Sequence, residues 1–211
     1  PVTLGLNEWG DPGCDRKSDI FGPHGIDLNK RKNGSYQLSV INHYPTETIE
    51  MFELIKNDQW SLLWRGCINI PKEYYLNDIS LEPDGSFYST HMYPRDISTI
   101  AWLNAALFKY STGQVLFWNN NKFEELKYTK SGQPNGITKS GTILYVANNL
   151  SDSVISYDLV EQKEIAHFSI NSPDNLILDD DSIWVTSLEH EAVDVLSCPS
   201  EQCSLPFNVY S

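Results

Sequence analysis

The sequence predicts an all-β fold, and the main observation is a short phrase that occurs four times along its 211 residues. Each copy starts a β-like run with a pair of residues that we call the anchor pair, and a turn signal follows within a few residues. The four anchor pairs are His24-Gly25, Asn77-Asp78, Asn135-Gly136 and Asp174-Asn175. Their spacings of 53, 58 and 39 residues are close to the length of a four-stranded propeller blade. The sequence therefore predicts a β-propeller with about four blades.

Further strands can be placed in each repeat, because short runs rich in β-branched and aromatic residues alternate with Gly, Asn and Asp. Second strands are expected at 36–43, 86–91, 142–148 and 182–187. Third strands are expected at 48–54, 114–118, 153–159 and 192–196, and fourth strands at 60–64, 123–128 and 163–170. The blades of this single domain would span roughly 21–70, 71–130, 131–171 and 172–211.

Residues 95–110 break this pattern, since they contain few strand formers and place apolar residues at helical spacing. We expect one helical insertion here. It could be a surface helix that packs on the edge of a blade. Alternatively, Trp102, Leu103 and Phe108 could form a lid or a membrane-facing wall of an active site.

Four blades in an open arc would expose apolar blade faces, so we expect closure to require more chain or an unusual four-bladed ring. Residues 1–22 hold no complete earlier blade, and residues 208–211 have the character of a strand. We favour part of a larger propeller.

Composition limits the class of partner. The net charge of −13 argues against binding to nucleic acid, and no apolar run is long enough to suggest a transmembrane segment. The acidic composition and two glycosylation sequons, at Asn33 and Asn149, favour an extracellular or periplasmic protein but leave the compartment open. Cys198 and Cys203 could form a disulfide in an oxidising compartment, and no zinc-like cysteine pair is present.

The anchor pairs indicate a metal site, because a propeller points the start of each innermost strand at one central axis. Carboxylate and amide oxygens in that position suit Ca²⁺ better than Zn²⁺. One Ca²⁺ would be held by Asn77, Asn135, Asp174 and Asn175, and a second, deeper ion by Asp78 and the backbone carbonyl of Ile26. The alternative is that these residues only satisfy backbone groups at strand starts.

Two histidines are expected at the mouth of the tunnel. His24 belongs to the first anchor pair, and His43 lies at the end of the adjacent second strand. Neighbouring antiparallel strands would bring the two rings together above the metal, where they could act as a base and its proton relay. His91 ends the second strand of the next blade and could line the same mouth.

At this point the chain resembles the paraoxonase/arylesterase family, which are six-bladed β-propellers that act as Ca²⁺-dependent lactonases and esterases. The matching segments are Phe21-Gly22-Pro23-His24-Gly25-Ile26, Val40-Ile41-Asn42-His43, Leu76-Asn77-Asp78-Ile79, Pro134-Asn135-Gly136-Ile137 and Asp174-Asn175. The resemblance implies a six-bladed ring and the same ion ligands as above. It also implies that His24 activates water, that His43 relays the proton, and that 95–110 contacts substrate and lipid surfaces.

The chain departs from the family pattern in three places. The family takes an adjacent Glu and Asp as further calcium ligands from a blade that would precede Pro1. It also closes its ring through terminal segments joined by a disulfide. A further histidine expected near Leu188 is out of register, although His190 is close.

The leading hypothesis is a Ca²⁺-dependent hydrolase of small-molecule lactones or aryl esters. The first alternative is a sugar-lactone hydrolase of the gluconolactonase/senescence-marker type, although the apolar Trp102, Leu103 and Phe108 favour an apolar substrate. The second alternative is a non-catalytic propeller scaffold in which calcium has only a structural role, since propellers host many functions.

Overall fold

The computed structural model describes residues 2–16, 20–189, 198 and 205–211. Within these residues the protein is all-β with one helix, and its strands form four sheets arranged as propeller blades, which confirms the predicted fold class. The helix in the described part of the chain is not long and apolar enough to cross a membrane.

The first sheet has five strands in the order β1-β5-β4-β3-β2. These are β1 (Val2–Leu4), β2 (Pro23–Lys30), β3 (Tyr36–Asn42), β4 (Thr48–Lys56) and β5 (Trp60–Asn69). Strands β2 to β5 are antiparallel neighbours, as expected for a blade. The short strand β1, which the sequence did not reveal, pairs in parallel with the outermost strand β5.

The remaining sheets are simple meanders that start at the innermost strand. The second contains β6 (Tyr74–Leu81), β7 (Phe87–Pro94), β8 (Gly113–Trp118) and β9 (Phe123–Ser131). The third contains β10 (Pro134–Ser140), β11 (Ile143–Asn148), β12 (Ser153–Asp158) and β13 (Lys163–Ser169). The fourth contains β14 (Pro173–Asp179), β15 (Ser182–Leu188) and β16 (Phe207–Tyr210), which pairs with β15.

The third strand that was expected at 192–196 lies outside the described residues. Strand β16, which corresponds to the strand-like end of the sequence, occupies the position next to β15 in that sheet.

The helix α1 (Thr99–Phe108) lies between β7 and β8, inside the predicted insertion. It begins where the side chain of Ser98 accepts a hydrogen bond from the backbone N–H of Ala101, a normal N-cap. It ends at Lys109, which adopts a left-handed conformation with φ of 54°. Of its residues, Ala105 is buried, so the helix lies on the surface.

Every innermost strand carries a β-bulge at its anchor pair. In the first blade Pro23 pairs with Asn42 and Ile26 with Val40, so two residues of β2 face one residue of β3. The same two-against-one pairing occurs at 77–78, 135–136 and 174–175. Because a bulge re-aims side chains, both members of an anchor pair can approach the axis, which strict alternation along a strand would forbid.

Glycine in two anchor pairs lets adjacent blades approach closely. A Cβ atom on Gly25 would lie 2.2 Å from the backbone oxygen of Asn77, and one on Gly136 would lie 2.7 Å from that of Asp174. The inner strands of neighbouring blades are therefore in near contact where the bulges meet, which leaves no room for a side chain at either position.

Apolar layers fill the space between neighbouring blades. The first layer joins the first two sheets through Ile41, Met51, Leu76, Phe87 and Trp118, among others. The second joins the next pair through Val115, Ile137, Leu144 and Tyr157, and a third includes Ala147, Val154, Leu176 and Val185. Burial of these faces stabilises the arc, because each blade covers the apolar surface of its neighbour.

A disulfide joins Cys14 to Cys67, and both residues are buried. The bond links the segment before β2 to strand β5, which lies on the outer side of the first blade next to β1. Nothing in the sequence spacing indicated this pairing. Cys198 is also disulfide-bonded, while its expected partner Cys203 lies outside the described residues.

The close approach of the bulges predicts that Gly25→Ala lowers the free energy of unfolding by about 1–3 kcal/mol, because the added methyl group meets backbone atoms. Gly13→Ala is the matched control, since a Cβ there meets nothing within 4 Å and should change stability by less than about 0.5 kcal/mol. Urea denaturation of both variants measures the difference. Equal stability of the two variants would contradict the packing described here.

Candidate metal centre and active site

The innermost strands of all four blades enclose a central cavity of about 270 Å³. Its walls come from the bulges and from the residues just after them, and the side chains reach it from four separate sheets. The lining residues are His24, Gly25, Ile26, Asp27, Asp78, Ile79, Ser80, Ile137, Thr138, Asn175, Leu176 and Ile177.

The structure brings the two predicted histidines together at the start of the innermost strands. The rings of His24 and His43 pack edge to face, with 5.0 Å between centroids. Burial and the neighbouring His43 lower the pKa of His24, while Asp174 and Glu47 act in the opposite direction. A neutral imidazole is therefore favoured at His24, and this is the form that can accept a proton.

His43 is held on its other sides by two groups that the sequence did not reveal. Its Nδ1 lies 2.8 Å from Oε2 of Glu47, and its ring stacks on Tyr75 at 4.5 Å. Tyr75 stacks in turn on Tyr93. The Nε2 atom of His43 is buried and has no hydrogen-bond partner.

Asn77 connects the histidine to the second blade. Its Nδ2 lies 3.1 Å from Nε2 of His24, and a second contact goes to Sδ of Met92. An amide nitrogen can only donate, so His24 Nε2 accepts in this arrangement. The amide oxygen of Asn77 is buried without a hydrogen-bond partner.

Asn135 repeats this arrangement one blade further on. Its Nδ2 donates to Oδ1 of Asp174 over 2.6 Å, while its own Oδ1 is again buried without a partner. Leaving a buried acceptor unsatisfied costs about 1–3 kcal/mol, so each of these two oxygens, which occupy the same position in their strands, has capacity for a further ligand. Amide oxygens next to a carboxylate fit a hard cation such as Ca²⁺.

Within the residues that the structure describes, no group of three or more His, Cys, Asp or Glu side chains is placed to hold a metal ion. Among the predicted ligands, Asn77 and Asn135 carry buried amide oxygens without a hydrogen-bond partner, and Nδ2 of Asn135 bonds the carboxylate of Asp174.

Two buried carboxylates tie the inner strands together below this level. Oδ2 of Asp27 accepts from the backbone N–H of Leu81, and Oδ2 of Asp78 accepts from that of Ile137. Each bond crosses from one blade to the next. Burial raises the pKa of Asp27. Burial also raises the pKa of Asp78 to about 7, because its effect is larger than the opposite effect of the backbone hydrogen bonds from Ile137 and Ile79.

Of the predicted metal ligands, Asp78, Ile26 and Asn175 line the central cavity, whereas Asn77, Asn135 and Asp174 are not among its described lining residues. Ile26 follows the first bulge, pairs with Val40 and lines the cavity wall. Asn175 also lines the cavity, and its backbone N–H and C=O both bond to Oγ1 of Thr186. Its amide side chain is therefore not required to satisfy its own backbone.

The predicted substrate-contacting residues lie farther out. His91 is buried, accepts a hydrogen bond from the backbone N–H of Tyr75 and packs against Tyr74. Trp102 of α1 donates to Oε1 of Gln133, just before the start of β10. Leu103 and Phe108 are exposed on the same helix, and neither belongs to the described lining of the central cavity.

A family model described as Arylesterase matches residues 12–201, which is most of the chain and contains every residue of the site. The chain belongs to the arylesterase family. No curated protein matches the sequence of this chain.

Solved structures similar to this chain include hydrazine synthase from Kuenenia stuttgartiensis, with a TM-score of 0.49 and 16% identity. A luciferin-regenerating enzyme has a TM-score of 0.46 and 16% identity, and a gluconolactonase from Xanthomonas campestris has a TM-score of 0.44 and 13% identity. They cover 86%, 82% and 72% of this chain respectively. The chain spans about half the length of each, namely 46%, 57% and 52%.

The buried carboxyl of Asp78 predicts that the stability of the protein depends on pH. Its pKa of about 7 lies above the value of 3.8 expected in the unfolded chain. At pH values between these two, the folded state therefore binds more protons than the unfolded state. This contribution to stability is present at low pH and is lost as the pH rises from about 4 to 7.

Asp78→Asn should remove this part of the pH dependence, since the amide oxygen can still accept from Ile137. The free energies of unfolding of both proteins, measured without metal at about pH 4.5 and about pH 8, give the comparison. The wild type should lose more stability between the two pH values than the variant does. Parallel losses would show that Asp78 carries no such shift.

Proposed function

We propose that the protein is a Ca²⁺-dependent hydrolase of lactones or aryl esters. The observation that carries this proposal is the pair of buried, unpartnered amide oxygens on Asn77 and Asn135, next to the packed pair of His24 and His43. Membership of the arylesterase family supports ester-type substrates.

The proposed catalytic Ca²⁺ site uses the amide oxygens of Asn77 and Asn135, the carboxylate of Asp174 and the side chain of Asn175. When bound, Ca²⁺ supplies a positive charge that polarises a substrate carbonyl and stabilises the oxyanion that develops from it. A second, structural ion is proposed at Asp78 and the backbone carbonyl of Ile26. Burial raises the pKa of Asp78 to about 7, and a cation bound there would compensate its negative charge.

His24 is the proposed base. Partial burial lowers its pKa and favours the neutral ring. Nε2, which accepts from Asn77 in this structure, is the atom that would take the proton from water in place of that bond. His43 lies against the ring as the group that can pass a proton onward. The proton removed from water would thus move away from the reacting carbonyl along the histidine pair.

The substrate side of the site is proposed to be apolar and aromatic. Tyr75 and Tyr93 form a stacked wall beside His43, and α1 lies near the start of β10 through Trp102. The helix also exposes Ile100, Leu107 and Phe108, so contact of residues 95–110 with a lipid surface remains part of the proposal.

Calcium binding should depend on the two unpartnered oxygens. Asn77→Ala and Asn135→Ala should each weaken Ca²⁺ binding by at least about tenfold, because each removes one ion ligand. Isothermal titration calorimetry on chelator-treated protein measures this. Asn29→Ala is the matched control, because it also removes a hydrogen bond between inner strands, from Asn29 Nδ2 to the Leu81 oxygen, but no proposed ligand.

Wild-type protein that binds no Ca²⁺, or hydrolysis that persists unchanged in excess chelator, would contradict the metal-dependent proposal. Calcium binding without turnover on a panel of aryl esters, aliphatic lactones and sugar lactones would instead support the non-catalytic scaffold.

Replacing the base should remove activity and leave the fold intact. His24→Gln should lower kcat for an aryl ester by about 10²–10⁴-fold, the usual contribution of a general base, while Tm changes little. Steady-state kinetics and thermal unfolding measure the two effects. His167→Gln is the control, because this histidine is exposed on β13, away from the site. Unchanged kcat in His24→Gln would assign the base to another group.

A further inference from the structure

Glu47 lies beside the histidine pair and contacts His43 directly. It lies in the turn between β3 and β4, four residues after His43, and its side chain is only 14% exposed. Its Oε2 is 2.8 Å from His43 Nδ1, a normal length for a charge-assisted hydrogen bond.

This contact fixes which nitrogen of His43 carries the proton. A carboxylate can only accept, so Nδ1 must be the donor to Glu47. In the neutral ring the proton is then absent from Nε2, which is the buried atom without a hydrogen-bond partner. Glu47 thereby prepares Nε2 as the atom of His43 that can accept a proton.

Glu47 is itself held from the second blade. Nη2 of Arg95 lies 3.9 Å from the same Oε2, and the guanidinium is anchored by hydrogen bonds to the backbone oxygen of Tyr74. Tyr75, the next residue, stacks on the ring of His43. The imidazole is therefore oriented by a carboxylate at one edge and by an aromatic face.

We propose that Glu47 is the positioning residue of the histidine pair: it holds the ring of His43 with the proton on Nδ1 and leaves Nε2 as the atom that can accept one. When a proton reaches Nε2, the Nδ1–H stays bonded to Glu47. The carboxylate then balances the positive charge of the doubly protonated His43 ring. The expected change in kcat rests on the proposed hydrolase function. The position of the proton on His43 does not depend on that function.

The test compares Glu47→Gln, which keeps the size of the side chain and removes its charge, with Glu47→Asp, which keeps the charge. Glu53→Gln is the matched control, because Glu53 lies on the adjoining strand β4 and pairs with Arg65, at 3.1 Å, without touching a histidine. Phenyl acetate hydrolysis by the calcium-loaded protein gives kcat and KM. Long-range ¹H–¹⁵N NMR reports which nitrogen of His43 is protonated.

We expect Glu47→Gln to lower kcat about tenfold or more with KM nearly unchanged, Glu47→Asp to recover part of the loss, and Glu53→Gln to match the wild type. NMR should show the proton of His43 on Nδ1 in the wild type and a mixture of tautomers in Glu47→Gln. Thermal unfolding of each variant separates these effects from loss of fold.

A wild-type His43 protonated on Nε2 would overturn the inference, as would unchanged kcat in Glu47→Gln. So would a loss of kcat with the tautomer unaltered, which would show a merely structural role. If the wild type hydrolyses no ester or lactone, the proposed function fails, while the wild-type NMR spectrum still decides whether Glu47 positions His43.

Discussion

The close approach of four β-bulges at one axis is the constraint on which the rest of this structure depends. Each bulge turns an anchor pair toward the axis, and glycine in alternate blades gives the neighbouring bulge room to come within contact. Gly25 faces the backbone of Asn77 and Asp78, and Gly136 that of Asp174 and Asn175. The same packing that joins the blades therefore concentrates polar groups in a small buried volume.

That concentration has an energetic consequence. Some buried polar groups are satisfied across the blades, as when Asp27 and Asp78 accept backbone N–H groups from the next strand. Others are not, and the oxygens of Asn77 and Asn135 remain without partners. Burying a polar oxygen without a hydrogen-bond partner costs free energy. A cation bound to these oxygens would lower that cost in more than one blade. In the proposed function, the same atoms would therefore contribute to both metal binding and stability.

The repeat was sufficient to predict the fold class, the helical insertion and the meeting of His24 with His43, because these follow from local patterns and from antiparallel pairing. The bulges were not predicted, since they add one residue without a distinct composition. Pairing of Cys14 with Cys67 and the contact of Glu47 with His43 depend on how the chain leaves and re-enters the first blade. Loop paths of that kind leave no periodic signal in a single sequence.

The most direct measurement is an X-ray structure of the protein crystallised with Ca²⁺, using anomalous scattering to locate the ion. The account predicts a calcium peak on the propeller axis, bound by Asn77 Oδ1, Asn135 Oδ1 and the carboxylate of Asp174 at about 2.3–2.6 Å. Amide oxygens that turn to protein donors or to water, with no cation peak between them, would contradict it.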